Sequence, residues 1–350
     1  MHYICSYIPP HIIDHIARTA EKTPDATESP QLQTARVSRT FREQRRARAT
    51  ATASMSLEEA AVLTLHSPTA GKGDRLIFDD ENKWVLSTTP IRGEGDSAGA
   101  QNANRAYDGL GFTRAFFKEI LNRESLDNAG LTLQAHVNFG VGFNNAFWDG
   151  TEMVFGNGDD QVFTDLTSDV DVVGHELAHG VTQYTAQLIY TDQPGALNEA
   201  TSDIFGACVE QYAEKADAGT FDWLIGDEVM APGLYGEALR SMSHPGTAYD
   251  NPIMGTDPQP ADMSGYVPGG DPHVNSGIIN RAFYLMAIDL GTFPAAKLWY
   301  ATLQNLWPTA QFADAATVCV QMARILARDG VIERNGAQTV RAAFREVAVL

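Results

Sequence analysis

The pattern of hydrophobic and polar positions changes period near the middle of the chain. Between about residues 55 and 150, short apolar runs bounded by turn residues predict strands at 75–78 and 83–86. Leu131, Leu133, Ala135, Val137 and Phe139 then recur at period two, as one face of a half-buried strand does. A helical stretch at 104–123 interrupts this region. Further on, helices are predicted near 168–187, 197–215, 275–290, 294–306, 310–329 and 336–348, with Asn275 or Ser276 capping the third. No internal repeat is visible. The pattern predicts an α+β chain with a strand-rich N-terminal lobe followed by a mainly helical C-terminal lobe.

A length of 350 residues exceeds what one hydrophobic core usually organises, which agrees with two lobes. With 25 Lys+Arg against 44 Asp+Glu the formal charge is −19, which argues against nucleic acid or an anionic membrane as the main partner. No apolar run approaches the length of a membrane span. Residues 1–22 lack a basic stretch followed by an uninterrupted apolar one, so no secretory signal is expected there. The three cysteines form no metal-finger or redox spacing; Cys208 and Cys319 read as small buried hydrophobes.

Charge is unevenly spread. Residues 1–50 carry +3, leaving −22 on the remainder. The basic and then small-polar run at 39–54 reads as an exposed, protease-sensitive join. Before it, Ile8-Pro9-Pro10-His11-Ile12-Ile13 is an apolar patch around a rigid pair. A detachable segment docked on an acidic body and a flexible tail are both open readings of this pattern.

The candidate chemistry lies in DVVGHELAHGVT, residues 171–182. His175 and His179 are four apart on a predicted helix, so one face brings both imidazoles to a single ion. Glu176, about 100° around that helix from His175, can serve as a base without being a ligand. A second predicted helix begins twenty residues later with Asn198-Glu199-Ala200-Thr201-Ser202-Asp203. Glu199 can supply a third ligand and leave the fourth zinc position open. Asp203, one turn on, and Asn198 can hold the second ring nitrogens of the histidines.

These segments, together with NNAFWDG at 144–150 and HVNSGIINRAFYLMA at 273–287, resemble the thermolysin family of neutral metalloendopeptidases over about residues 55–350. The short N-terminal segment with Pro9-Pro10 is similar to the abbreviated propeptide of protealysin-like members. The resemblance implies a thermolysin-like fold with a cleft between the lobes. It divides the chain into a propeptide at 1–50, a mixed catalytic lobe at 51–190 containing the zinc helix, and a helical lobe at 191–350.

The resemblance further implies one catalytic zinc on His175, His179 and Glu199, with hydrolysis of internal peptide bonds by zinc-activated water. Glu176 is then the base, while His273 and Tyr190 donate to the developing oxyanion. Asn145 and Ala146 receive an extended peptide, and Arg240 grips a backbone carbonyl. Phe163, Leu166, Val172, Ile225, Val229 and Leu239 match positions lining the S1′ pocket, which implies cleavage before a bulky apolar residue. Protein or peptide substrates, the chain's own propeptide and secretion follow from the same resemblance.

Two positions depart from the family pattern. Pro268 stands where an aspartate usually orients the site histidine, and Asp271, two residues before His273, is the candidate for that task. Asp171, Glu210, Asp222 and Asp227 match acidic calcium positions, but Leu224 replaces one carboxylate, so at most one Ca2+ is expected. Cys5 is a possible zinc ligand, although isolated cysteines are more often uncoordinated. A zinc aminopeptidase and a non-catalytic, metal-stabilised binding protein remain alternatives; the first needs a group for a free substrate amine, and the second has no need of Glu176.

Overall fold

A computed structural model of the chain describes residues 5–21, 29–53 and 73–350. The N-terminal segment contributes β1 (Cys5–Ser6), α1 (Pro10–Ala20) and α2 (Pro30–Ala53). The next part holds β2 (Arg75–Asp79), β3 (Pro90–Arg92), α3 (Gln101–Glu119), β4 (Leu133–Val137), β5 (Ala146–Trp148) and β6 (Met153–Phe155). The second half is built on α4 (Val170–Gln183) and α5 (Asp192–Glu214), then the short pair β7 (Leu224–Ile225) and β8 (Arg240–Ser241). It continues with α6 (Pro272–Asn275), α7 (Gly277–Leu290), α8 (Thr292–Leu303), α9 (Phe312–Arg328) and α10 (Gly336–Glu346). The expected α+β order, sheet first and helices after, is therefore present.

A six-stranded mixed sheet runs β1-β5-β6-β4-β2-β3. β4 sits between β2 and β6 and pairs with both in parallel, and its residues Leu133, Ala135 and Val137 are buried. At the sheet's edge, β1 lies antiparallel on β5, with Cys5 opposite Trp148 and Ser6 opposite Phe147. The N-terminal segment thus adds a strand to the body's sheet, and Ile8, Ile12, Ile13 and Ile16 are buried behind it. Pro10 opens α1 at a position where its missing N–H costs nothing and its fixed φ suits the helix. This is a docked segment, and the flexible-tail reading fails for residues 5–21.

Other expectations need correction. Residues 83–86 form no strand: Glu81 and Asn82 turn the chain at φ 52° and 60°, and Asp80 takes the N–H of Ser87 at 2.7 Å. Trp84 leaves that loop to stand edge-on against Phe139 and Phe143, and the neighbour of β2 on that side is β3. The basic run from residue 39 to 53 is the second half of helix α2, while the rest of the join, residues 54–72, lies outside the described residues. Of the two expected caps Ser276 stands at the N-cap of α7, without a side-chain capping bond, and Asn275 does not. Ser276 is already helical at φ −61°, ψ −27°, and its hydroxyl donates to the carbonyl of His273. Asn275 instead exchanges two hydrogen bonds with the backbone of Val267.

Helices α4 and α5 cross closely because glycines meet at the crossing. A Cβ on Gly206 would lie 2.8 Å from the carbonyl oxygen of Asp171, and one on Gly174 would lie 3.1 Å from Cα of Gly206. That approach brings the two helices' polar residues to one point inside the core.

Candidate active site and metal centre

His175, Glu176, His179, Asn198, Glu199 and Asp203 are all buried although every one is polar, so their partners must repay the desolvation. Asp203 accepts from His175 Nδ1 at 2.8 Å, and Asn198 Oδ1 faces His179 Nδ1 at 2.8 Å. With Nδ1 donating in both rings, the two Nε2 lone pairs confront each other 3.1 Å apart. Glu199 completes the group, 3.5 Å from one ring and 3.6 Å from the other. Among the described residues its Oε2 has no hydrogen-bond partner.

Two facing lone pairs and a buried carboxylate require positive charge between them. Burial acts to lower the pKa of His175, but Asp203 and Glu199 outweigh it and push the ring up to about 9. His179, where burial prevails, falls to about 3. Glu199 resists burial and is held well below the ordinary carboxylate range by His273, His179 and His175. The three ligand atoms lie within 4.8 Å of one another, which fits a tetrahedral zinc ion with one open position. Among the described residues Cys5 lies outside that group; it is a strand residue opposite Trp148.

The surrounding polar groups are tightly bound to one another. Arg240 donates twice to Asp203, each at 2.8 Å, while Asn280 Nδ2 donates to the same carboxylate at 2.8 Å. His273 is buried, with Nδ1 on Asp271 at 2.7 Å, so Asp271 does reach the ring from only two residues away. It does so because Asp271 also caps α6 by accepting the N–H of His273. The Tyr190 hydroxyl is 3.3 Å from His273 Nε2 and donates to Glu199.

The N-terminal segment runs through this site. Tyr7 N donates to the Ala146 carbonyl at 3.0 Å, and Ile8 N donates to Asn145 Oδ1 at 2.9 Å. His273 Nε2 meets the carbonyl of Ser6 at 2.8 Å, and Arg240 Nη1 reaches the carbonyl of Tyr7 at 3.4 Å. Arg240 therefore holds a salt bridge and a peptide carbonyl at once. Phe163, Leu166, Val172, Ile225, Val229 and Leu239 are all buried and belong, with Tyr7, to one continuous hydrophobic cluster.

A second group combines Asp169, Asp171 and Glu210, with ligand atoms within 4.8 Å of one another and all three residues buried. Burial and then repulsion from neighbouring acids raise Asp169, Glu210, the latter to about 10, and the neighbouring Asp227, to about 7, whereas burial alone raises Asp171, to about 6, against the hydrogen bonds it accepts. Asp222, matched to a calcium position in the sequence, is not in the group; its carboxylate accepts the N–H of Leu224. Asp227 is outside it as well, and Asp169 is in it. The sequence reading missed Asp169, whose signal is its position as N-cap of α4, and Asn280, whose contact depends on a helix folded back from far along the chain.

A model of the thermolysin metallopeptidase catalytic domain matches residues 20–183, and one of the alpha-helical domain matches residues 186–349. An extracellular metalloprotease of Pectobacterium carotovorum subsp. carotovorum is 47% identical over 264 residues, covering 73% of this chain and 76% of that protein. The thermolysin of Alicyclobacillus acidocaldarius subsp. acidocaldarius is 37% identical over 303 residues, covering 81% of this chain and 52% of that protein, so the chain spans about half its length. The solved precursor of protealysin, a metalloproteinase from Serratia proteamaculans, superposes with a TM-score of 0.81 at 40% identity, covering 99% of this chain and 100% of that one.

Proposed function

The chain belongs to the thermolysin family of metallopeptidases and is a zinc metalloendopeptidase, and we propose that its first fifty residues are a propeptide of which residues 6–8 lie in the substrate cleft in the register of a substrate. The observation that carries this reading is the backbone pairing of residues 6–8 with Ala146, Asn145, Arg240 and His273. An extended peptide binds a sheet edge by completing its ladder, and β1 does this on β5. Ser6 then stands at the P1 position, Tyr7 at P1′ and Ile8 at P2′. The catalytic lobe is assigned to 51–190 and the helical lobe to 191–350.

His175, His179 and Glu199 would hold a zinc ion, which when bound would supply a Lewis acid for the scissile carbonyl and for the attacking water. Glu176, buried between the two histidines on α4, takes a proton from that water and returns one to the departing amine. Asp271 holds His273 through Nδ1, and Nε2 points at the P1 carbonyl oxygen, where negative charge develops. Tyr190 is the second donor. The six apolar side chains named above favour a bulky side chain at P1′. The Asn145 edge receives residues on both sides of the bond, which favours internal cleavage over removal of single N-terminal residues. No helix among the described residues is long and apolar enough to cross a membrane. We place the mature enzyme outside the cell, on the strength of the relative described as extracellular.

Asp169, Asp171 and Glu210 offer buried oxygens to one hard cation. With Leu224 in place of a carboxylate and Asp222 elsewhere, metal analysis after dialysis should find at most one calcium per chain. Two would show that carbonyls or waters make up the missing charge.

The propeptide is tested with full-length Glu176→Gln, which cannot process itself. After cleavage by active enzyme, N-terminal sequencing should place the new start between 46 and 56, and a peptide-like inhibitor should bind the trimmed protein more tightly. Equal inhibitor affinity before and after cleavage would overturn the reading of residues 6–8 as occupants of the cleft.

A further inference from the structure

Tyr7 is fully buried, and its ring stands edge-on to His175 with centroids 5.0 Å apart. Its hydroxyl donates to Asp171 Oδ1 at 2.8 Å, while Asp171 Oδ2 accepts the N–H of Gly226 at 2.8 Å. Gly226 has φ 71°, and a Cβ there would come within 2.7 Å of the Tyr7 hydroxyl and 2.8 Å of Leu239. The missing side chain thus leaves the pocket deep enough for a para-hydroxyl. The buried place of Tyr7 therefore has a carboxylate on the hydroxyl, a feature that the six apolar residues named above do not announce.

We propose that Asp171 is a specificity-determining residue of this peptidase, selecting a phenolic hydroxyl at P1′, so that the favoured substrates are polypeptides with tyrosine just after the cleaved bond. The proposal rests on the substrate-register reading of Tyr7 given above. A phenylalanine or leucine in the same place leaves Asp171 Oδ1 without this donor in a buried site, which penalises it relative to tyrosine. Sites built to bond a substrate hydroxyl discriminate against the analogue lacking it far more strongly than apolar pockets discriminate by size. Membership of Asp171 in the group with Asp169 and Glu210 is compatible with this role, since a carboxylate offers about four lone-pair sites to share between a hydroxyl and a cation.

The test uses full-length, zinc-replete protein allowed to process its N-terminal segment, with terminally blocked peptides identical except for tyrosine, phenylalanine or O-methyltyrosine at one internal position. Cleavage before tyrosine should exceed cleavage before phenylalanine by about ten- to hundredfold in kcat/KM, with O-methyltyrosine no better than phenylalanine. In Asp171→Val the tyrosine-to-phenylalanine ratio should fall to about one or below. Phenylalanine cleaved as fast as tyrosine by the unmutated enzyme would overturn the proposal whether or not the variant folds, as would an undiminished tyrosine preference in Asp171→Val. Absence of cleavage at any bond in all three peptides would instead overturn the peptidase reading on which the proposal rests.

Discussion

Glu176→Gln should keep the fold and the zinc and lower kcat at least about 100-fold, because removal of a positioned general base commonly costs 10²–10⁴. Glutamine has nearly the same shape, and Glu176 is not among the three residues whose ligand atoms converge, so metal content should not change. The comparison is made at matched zinc occupancy, with kcat taken on a peptide cleaved by the unmutated enzyme. Near-normal turnover would remove Glu176 from the base role. Loss of zinc together with activity would show that the residue supports the site rather than the proton transfer.

Asp203→Ala should have the largest effect on stability. Its carboxylate is fully buried and serves Arg240, Asn280 and His175 together. The burial penalty opposes its charge, yet Arg240 and His175 hold it down to about 2. Removing it leaves the Arg240 guanidinium buried without its counter-charge, which typically costs about 3–5 kcal/mol. It also frees Nδ1 of His175, and loss of such a partner typically weakens metal affinity about 10–100-fold. Both effects are readable, by denaturant unfolding and by zinc titration. Adding Arg240→Met to Asp203→Ala should recover part of the stability, because the unpaired cation is then gone, but none of the zinc affinity. A double variant no more stable than the single one would show that the cost lies elsewhere than in the unpaired charge.

The zinc centre was legible in the sequence because its geometry is local. His175, Glu176 and His179 share one helix, Asn198, Glu199 and Asp203 share another, and helical spacing alone places His175 with His179 on one face and Glu199 with Asp203 on the other's. The crossing that joins the two sets is less visible, since it depends on Gly174 meeting Gly206 across the core. Residues paired over long separations were legible only through the family resemblance or not at all. Tyr7 meets Asp171 across 164 positions, and nothing in the apolar patch around Pro9-Pro10 singles out its hydroxyl. Helix α2 escaped notice because its second half has almost no apolar stripe, and β7 and β8, two residues each, are too short to show a period. Residues 83–86 had the composition of a strand, yet Trp84 found better packing against Phe139 and Phe143 from a loop.

A peptide blocked at both termini, incubated with the processed protein before and after zinc removal, bears on the whole reading at once. Cleavage at an internal bond, lost when zinc is chelated and restored when about one equivalent of zinc is returned, is the predicted result. Cleavage that survives complete zinc removal, or failure to cut the blocked peptide while free peptides lose single N-terminal residues, would contradict it.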